Sequence, residues 1–112
     1  MKKNKKYGGS PRRRGDCPLK IMYMKKIQEK IKQFCEENKM ESPAEHRVLD
    51  TMSELGEVAK EILKMSDYGR KPLEYRKELK SELGDVLYSL ITLANTFDID
   101  LEDALNQVLE KI

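Results

Sequence analysis

MSELGEV at residues 52–58 and SELGDVL at residues 81–87 are two versions of one short pattern, and together they decide the fold. Each version places two acidic side chains three residues apart: Glu54 with Glu57, and Glu82 with Asp85. On a helix, this spacing brings both carboxylates to one face, about a turn apart. Two such helices in antiparallel contact would therefore bring four carboxylates together.

A group of four carboxylates requires cations, because like charges at short range disfavour each other's ionisation. Donor sets made only of oxygen suit Mg²⁺ or Mn²⁺ better than zinc. The residues therefore predict a divalent-metal site inside a helical bundle, formed by Glu54, Glu57, Glu82 and Asp85 and used on a phosphate-containing substrate. The competing interpretation is a solvated helix face, in which these acids pair with neighbouring lysines such as Lys60.

The same residues resemble the motifs of the MazG-type nucleoside triphosphate pyrophosphohydrolases, of the all-α NTP pyrophosphatase group. That family carries an EExxE motif, a spacer and an ExxD motif. Residues 53–57 (SELGE) and 82–85 (ELGD) are the matching stretches, and Ser53 replaces the first glutamate of EExxE. The resemblance extends over about residues 24–112.

The resemblance implies Mg²⁺-dependent cleavage of a ribo- or deoxyribonucleoside triphosphate to monophosphate and pyrophosphate, a reaction suited to removing non-standard nucleotides. It also implies a homodimer or a dimer of dimers. Glu54 and Glu57 are then expected to be catalytic as well as metal-binding, and Lys111 lies where the family often has a phosphate-facing lysine. Two alternatives stay open: a phosphoribosyl-ATP pyrophosphohydrolase, and a metal- or nucleotide-binding bundle without turnover.

Charge divides the chain into two parts. Residues 1–20 hold eight basic side chains and one acidic one, whereas the remainder holds 14 basic and 19 acidic side chains. With its glycines and prolines, the first part reads as a disordered basic tail, and residues 21–112 as one helical domain. An acidic domain argues against nucleic-acid binding. No apolar run approaches the ~20 residues of a membrane span, and no signal peptide or disulfide framework is evident, so a cytoplasmic location is expected.

Apolar residues at helical spacing predict four amphipathic helices, over about residues 20–38, 43–65, 72–96 and 101–112. Ser42 is predicted to cap the second helix with Glu45 in a capping box, Pro72 to start the third, and Asp100 to cap the fourth. The connection of about six residues around Gly69 makes helices two and three antiparallel neighbours. The predicted fold is an all-α four-helix bundle, completed by oligomerisation.

Two glycines and several polar residues add to the predicted site. Gly56 and Gly84 each lie between the acids of a pair, which predicts close approach of another helix or a ligand, because a mid-helix glycine costs about 1 kcal/mol. Cys35 falls on the apolar stripe and is predicted to be a core residue. The remaining candidates are outer carboxylate or phosphate-binding residues: Glu61, Arg70, Lys71, Asn95 and Lys111.

Overall fold

The computed structural model describes residues 18–112, which form four α-helices and no strand. The helices are α1 (Pro18–Glu37), α2 (Ala44–Met65), α3 (Glu78–Thr96) and α4 (Leu101–Lys111). The predicted all-α, four-helix architecture is confirmed. Residues 1–17, which contain most of the predicted basic tail, lie outside the described residues.

Helices α2 and α3 form a hairpin at the centre of the fold, with α1 packed on α3 and α4 on α1. The hairpin is antiparallel, because Arg76, two residues before α3, contacts Glu61 late in α2, and Asp85 within α3 lies near Glu54. In the part of the chain whose burial is described, only a few apolar side chains are buried, and Ile91 of α3 is the most enclosed of them. The others there are Cys35, Val58, Met65 and Ala94.

The segment between the central helices differs from the prediction. Helix α3 begins at Glu78 instead of Pro72, so residues 72–77 are a non-helical strap. Two interactions explain this: the Glu74 N–H donates to the Met65 carbonyl, and the Arg76 guanidinium contacts the buried Glu61 carboxylate. Gly69 lies in the turn that follows α2 and, as predicted, takes a left-handed conformation with φ of 88°.

Helix starts were predicted with mixed success. Asp100 caps α4 as expected, accepting hydrogen bonds from the backbone N–H groups of Glu102 and Asp103. The prediction for α2 was wrong, because its N-cap is Pro43 and no side chain caps it. The Ser42 capping box is therefore absent, and the first N–H groups of α2 have no side-chain acceptor among the described residues.

A buried amide network ties α4 to the rest of the fold. The Gln28 Nε2 group of α1 donates to Asn95 Oδ1 at 3.0 Å and to the Ile99 carbonyl at 2.8 Å. Its Oε1 accepts from the Leu101 N–H at 2.9 Å, at the first residue of α4. Asn95 Nδ2 in turn donates to the Gln28 carbonyl. One glutamine thus joins α1, the end of α3 and the start of α4.

Much of the apolar surface is uncovered in the described chain. Helix α4 has no buried residue within residues 101–111, although its apolar positions are spaced for a helix interface. Exposed apolar side chains lie along the α2–α3 hairpin, including Leu49, Met52, Leu55, Leu83 and Leu87, and on α4, where they are Leu105, Val108 and Leu109. Among the described helices, none is long and apolar enough to cross a membrane.

Candidate metal centre

Three carboxylates converge between the two central helices. Ligand oxygens of Glu54 from α2, and of Glu82 and Asp85 from α3, all lie within 4.8 Å of one another. Glu54 and Glu82 are half-buried and Asp85 is exposed, so the group opens to solvent on one side. The i, i+3 spacing accounts for the α3 pair, and the antiparallel hairpin brings Glu54 against it.

Glu57, the fourth predicted ligand, lies outside this three-carboxylate cluster (Glu54, Glu82 and Asp85). It is exposed on α2, one turn after Glu54. It still acts on the cluster, because its charge contributes to raising the pKa of Glu82. Of the four carboxylates that the sequence predicted to converge, the structure brings three together, and Glu57 lies beside them.

The pKa of Glu82 reports the electrostatics of the cluster. Partial burial raises this pKa most, followed by the negative charges of Asp85, Glu57, Glu54 and Glu61. No lysine or arginine of the described residues lies within 4 Å of Glu54, Glu57, Glu82 or Asp85. The site therefore concentrates negative charge without a counter-ion among the described residues. Its donors are all carboxylate oxygens, and such donor sets suit Mg²⁺ or Mn²⁺.

Glu61 has a different environment from the one predicted for an outer member of the site. It is buried, and the Nε–H group of Arg76 from the strap donates to its carboxylate. Arg76 also lies 4.0 Å from Glu78. Glu61 thus adds negative charge near Glu82 while its own carboxylate is paired, and sequence spacing gave no sign of Arg76 as its partner.

The two mid-helix glycines have open space around them in this chain. A Cβ atom at Gly56 or Gly84 would meet nothing within 4 Å. The predicted close approach by another helix is therefore wrong within one copy of the chain. The alternative prediction, close approach of a ligand, stays a prediction.

The other predicted candidates lie away from the three-carboxylate cluster. Arg70 contacts Asp67 in the exposed turn at 3.4 Å, and Lys71 contacts Glu74 at 3.4 Å. Asn95 is engaged with Gln28, as described above. Lys111 is exposed in the last turn of α4. The structure therefore brings none of these four residues into the cluster.

Arg47 is a residue that sequence reasoning missed. It is buried in the first turn of α2, and its guanidinium donates to the Met40 carbonyl. It lines an open cavity of about 260 Å³ between α1, the start of α2 and the second half of α3. The available signal was its position seven residues before Glu54, which places both on one face of α2.

Cys35 lies close to this cavity and is buried, as predicted for a core residue. Its sulfur lies 3.3 Å from the Tyr88 hydroxyl. That hydrogen bond, followed by partial burial, raises the pKa of Tyr88. The thiol therefore has a structural partner on α3.

Comparison with known proteins agrees with the resemblance seen in the motifs. A family model described as the MazG nucleotide pyrophosphohydrolase domain matches residues 43–112. The chain belongs to this family. The matched region contains α2, α3 and α4, and thus every carboxylate of the candidate metal centre.

Two solved structures share the MazG fold. The crystal structure of the Bacillus-conserved MazG protein, a nucleotide pyrophosphohydrolase, is 30% identical, with a TM-score of 0.66, covering 79% of this chain and 86% of that one. The structure of YPJD from Bacillus subtilis is 34% identical, with a TM-score of 0.67, covering 80% and 93%.

In sequence comparison, YpjD of Bacillus subtilis (strain 168) is 46% identical over 61 residues. That alignment covers 52% of this chain and 53% of YpjD, so this chain spans about half the length of the curated relative it matches.

Proposed function

We propose that this MazG-family domain hydrolyses a nucleoside triphosphate to the monophosphate and pyrophosphate in a reaction that depends on Mg²⁺. The observation that carries the proposal is the convergence of Glu54, Glu82 and Asp85 from two antiparallel helices within 4.8 Å. An uncompensated group of this kind is unfavourable without a bound cation. Family membership supplies the class of substrate, a nucleotide.

In this proposal the three-carboxylate cluster holds the ion, with Mn²⁺ as the alternative to Mg²⁺. A bound divalent ion supplies charge neutralisation for the phosphates and lowers the pKa of a coordinated water. The residues contribute position: α2 and α3 present their carboxylates from a rigid hairpin to one point. The exposed side at Asp85 leaves room for a triphosphate to enter from solvent.

Glu57 is the proposed general base. It lies outside the three-carboxylate cluster, is exposed, and is near enough to influence Glu82 electrostatically. A carboxylate that is not itself a ligand keeps a free oxygen to accept the proton of the attacking water. Attack at the α-phosphorus releases pyrophosphate. Ser53, at the first motif position, is exposed and has no carboxylate to share this role.

We also propose that the active form is a homodimer or a dimer of dimers. The exposed apolar side chains of α2, α3 and α4 support this, because a lone domain would leave most of its helical apolar faces in water. The open space at Gly56 and Gly84 is consistent with a second copy approaching the hairpin. Light scattering after gel filtration that gives a monomer would contradict this part.

A cytoplasmic location remains the expectation, because the sequence shows no disulfide framework.

Phosphorus NMR tests the reaction directly. The protein is incubated with Mg²⁺ and each of a panel of ribo- and deoxyribonucleoside triphosphates, and also with phosphoribosyl-ATP. Monophosphate with pyrophosphate is expected from the triphosphates, and it should disappear in Glu54→Gln and Asp85→Asn. Diphosphate with orthophosphate would contradict the mechanism. Nucleotide binding without turnover would instead favour a binding module, and turnover confined to phosphoribosyl-ATP would reassign the substrate.

A further inference from the structure

The cavity at Arg47 shares no lining residue with the three-carboxylate cluster. Its floor on α3 includes Thr92 and Thr96, whose hydroxyls donate to main-chain carbonyls within α3 at 2.7 and 2.9 Å. Asn95 is likewise occupied with Gln28. The hydroxyl donors of Thr92 and Thr96 on the α3 wall are therefore already used within the protein.

The opposite wall carries unused polar groups. Arg47 is 92% buried, with a relative exposure of 8%, yet its one protein acceptor in the described chain is the Met40 carbonyl. No carboxylate of the described residues lies within 4 Å of its guanidinium. A guanidinium has five N–H donors, and burying them without acceptors is costly. The remaining donors therefore require an acceptor from a ligand or water in the cavity.

Acceptors and donors occur side by side at the cavity mouth. Lys32 adds a second cationic donor, and the exposed carboxylates of Glu36 and Glu41 add acceptors. No ion pair joins these side chains to one another in the described part of the chain. A ligand for this wall must therefore offer both hydrogen-bond acceptors and donors along one edge.

The spacing of α2 connects this cavity to the candidate metal centre. Arg47 and Glu54 are seven residues apart on α2, which is about 10 Å along the helix on one face. In a nucleotide whose phosphates lie at the three-carboxylate cluster, the ribose separates the phosphates from the base. The base would then reach the level of Arg47. This placement rests on the proposed nucleotide substrate.

We propose that the Arg47 cavity is the base-binding subsite and that it selects 6-oxopurines such as guanine and hypoxanthine. The guanidinium of an arginine donates two parallel hydrogen bonds to such a base, one to O6 and one to N7. The N1–H donor on the adjacent edge matches the carboxylates of Glu36 and Glu41, which only accept. Adenine presents an amino donor in place of O6, and pyrimidines have no N7, so both lose the paired contact.

Calorimetric titration of nucleoside monophosphates tests this without turnover. Wild-type protein with Mg²⁺ is titrated with GMP, IMP, AMP and CMP. A good two-point contact is worth a factor of about 5 to 150 in affinity, so GMP and IMP should bind more tightly than AMP and CMP by roughly that factor. Equal affinities for the four monophosphates, tighter binding of CMP, or no binding of any of them would overturn the proposal.

Variants then assign the preference to Arg47. Arg47→Lys keeps the charge and can still donate to the Met40 carbonyl, but it loses the paired geometry, and Arg47→Gln loses both. Both should reduce the preference for GMP and leave Mg²⁺ affinity unchanged, whereas Lys26→Gln, on the exposed side of α1, should change neither. A retained preference in Arg47→Lys would overturn the assignment.

The wild-type comparison needs no variant to fold. A GMP preference without hydrolysis would refute the proposed reaction and leave this subsite standing. Hydrolysis without base preference would refute the subsite and leave the proposed reaction standing.

Discussion

Glu54→Gln should stabilise the protein without metal and remove most of its response to Mg²⁺. Glu54 lies within 4.8 Å of Asp85 through their ligand oxygens. At that distance, two unit charges repel by about 0.9 kcal/mol at the dielectric constant of water. Physiological salt, with a Debye length of about 8 Å, reduces this to roughly half. Relief of this one pair should therefore raise the free energy of unfolding by about 0.5–1 kcal/mol.

The assay is urea unfolding of wild type and Glu54→Gln, first in EDTA and then over a Mg²⁺ titration. Wild type should become the more stable protein as Mg²⁺ increases, because an ion that binds only the folded state stabilises it. Glu29→Gln, an exposed acid on α1, is the matched control and should leave the Mg²⁺ response intact. The reasoning is refuted if Glu54→Gln is less stable in EDTA and responds to Mg²⁺ like wild type.

Three further predictions concern the surroundings of the cluster. Glu57→Gln should lower kcat by about 10²–10⁴-fold, while the Mg²⁺ affinity measured by calorimetry changes little. If kcat and Mg²⁺ affinity fall by the same factor, Glu57 is a metal ligand instead. Arg76→Ala should destabilise the protein more than Glu61→Gln, because it leaves the buried Glu61 carboxylate charged and unpaired; similar urea midpoints would contradict this. Partial burial and neighbouring carboxylates raise the pKa of Glu82, so the folded metal-free protein binds this proton more tightly than the unfolded chain. Thermal stability in EDTA should therefore fall as pH rises from 4.5 through the raised value, and Glu82→Gln should flatten that slope.

Local patterns in the sequence were enough to predict the helices and the convergence of three carboxylates. Helical periodicity gave four helices, and the i, i+3 acids on two neighbouring helices gave the convergence of Glu54, Glu82 and Asp85. The helices and the carboxylate convergence depend on residue spacing within a helix and on a short connection between helices. Both can be read directly from the sequence. The Asp100 cap and the left-handed Gly69 are equally local and were also predicted correctly.

Features that depend on long-range contacts were missed. The strap at residues 72–77 looked helical, but the Arg76 contact with Glu61 and the Glu74 hydrogen bond to Met65 hold it in another conformation. Sequence patterns gave no role to Arg47, because nothing local shows that it is buried beside α1 and α3. Gly56 and Gly84 were predicted to lie against another helix or a ligand, and a single copy of the chain places no helix there.

The most direct test of the central claim is hydrolysis in oxygen-18 water, with phosphorus NMR of the products. A cluster built to direct water at the α-phosphorus predicts that the label enters the nucleoside monophosphate, that pyrophosphate stays unlabelled, and that Asp85→Asn abolishes both products. Label in the pyrophosphate would place the attack at the β-phosphorus. That result, or full turnover by Asp85→Asn, would contradict the role assigned to the carboxylates of α2 and α3.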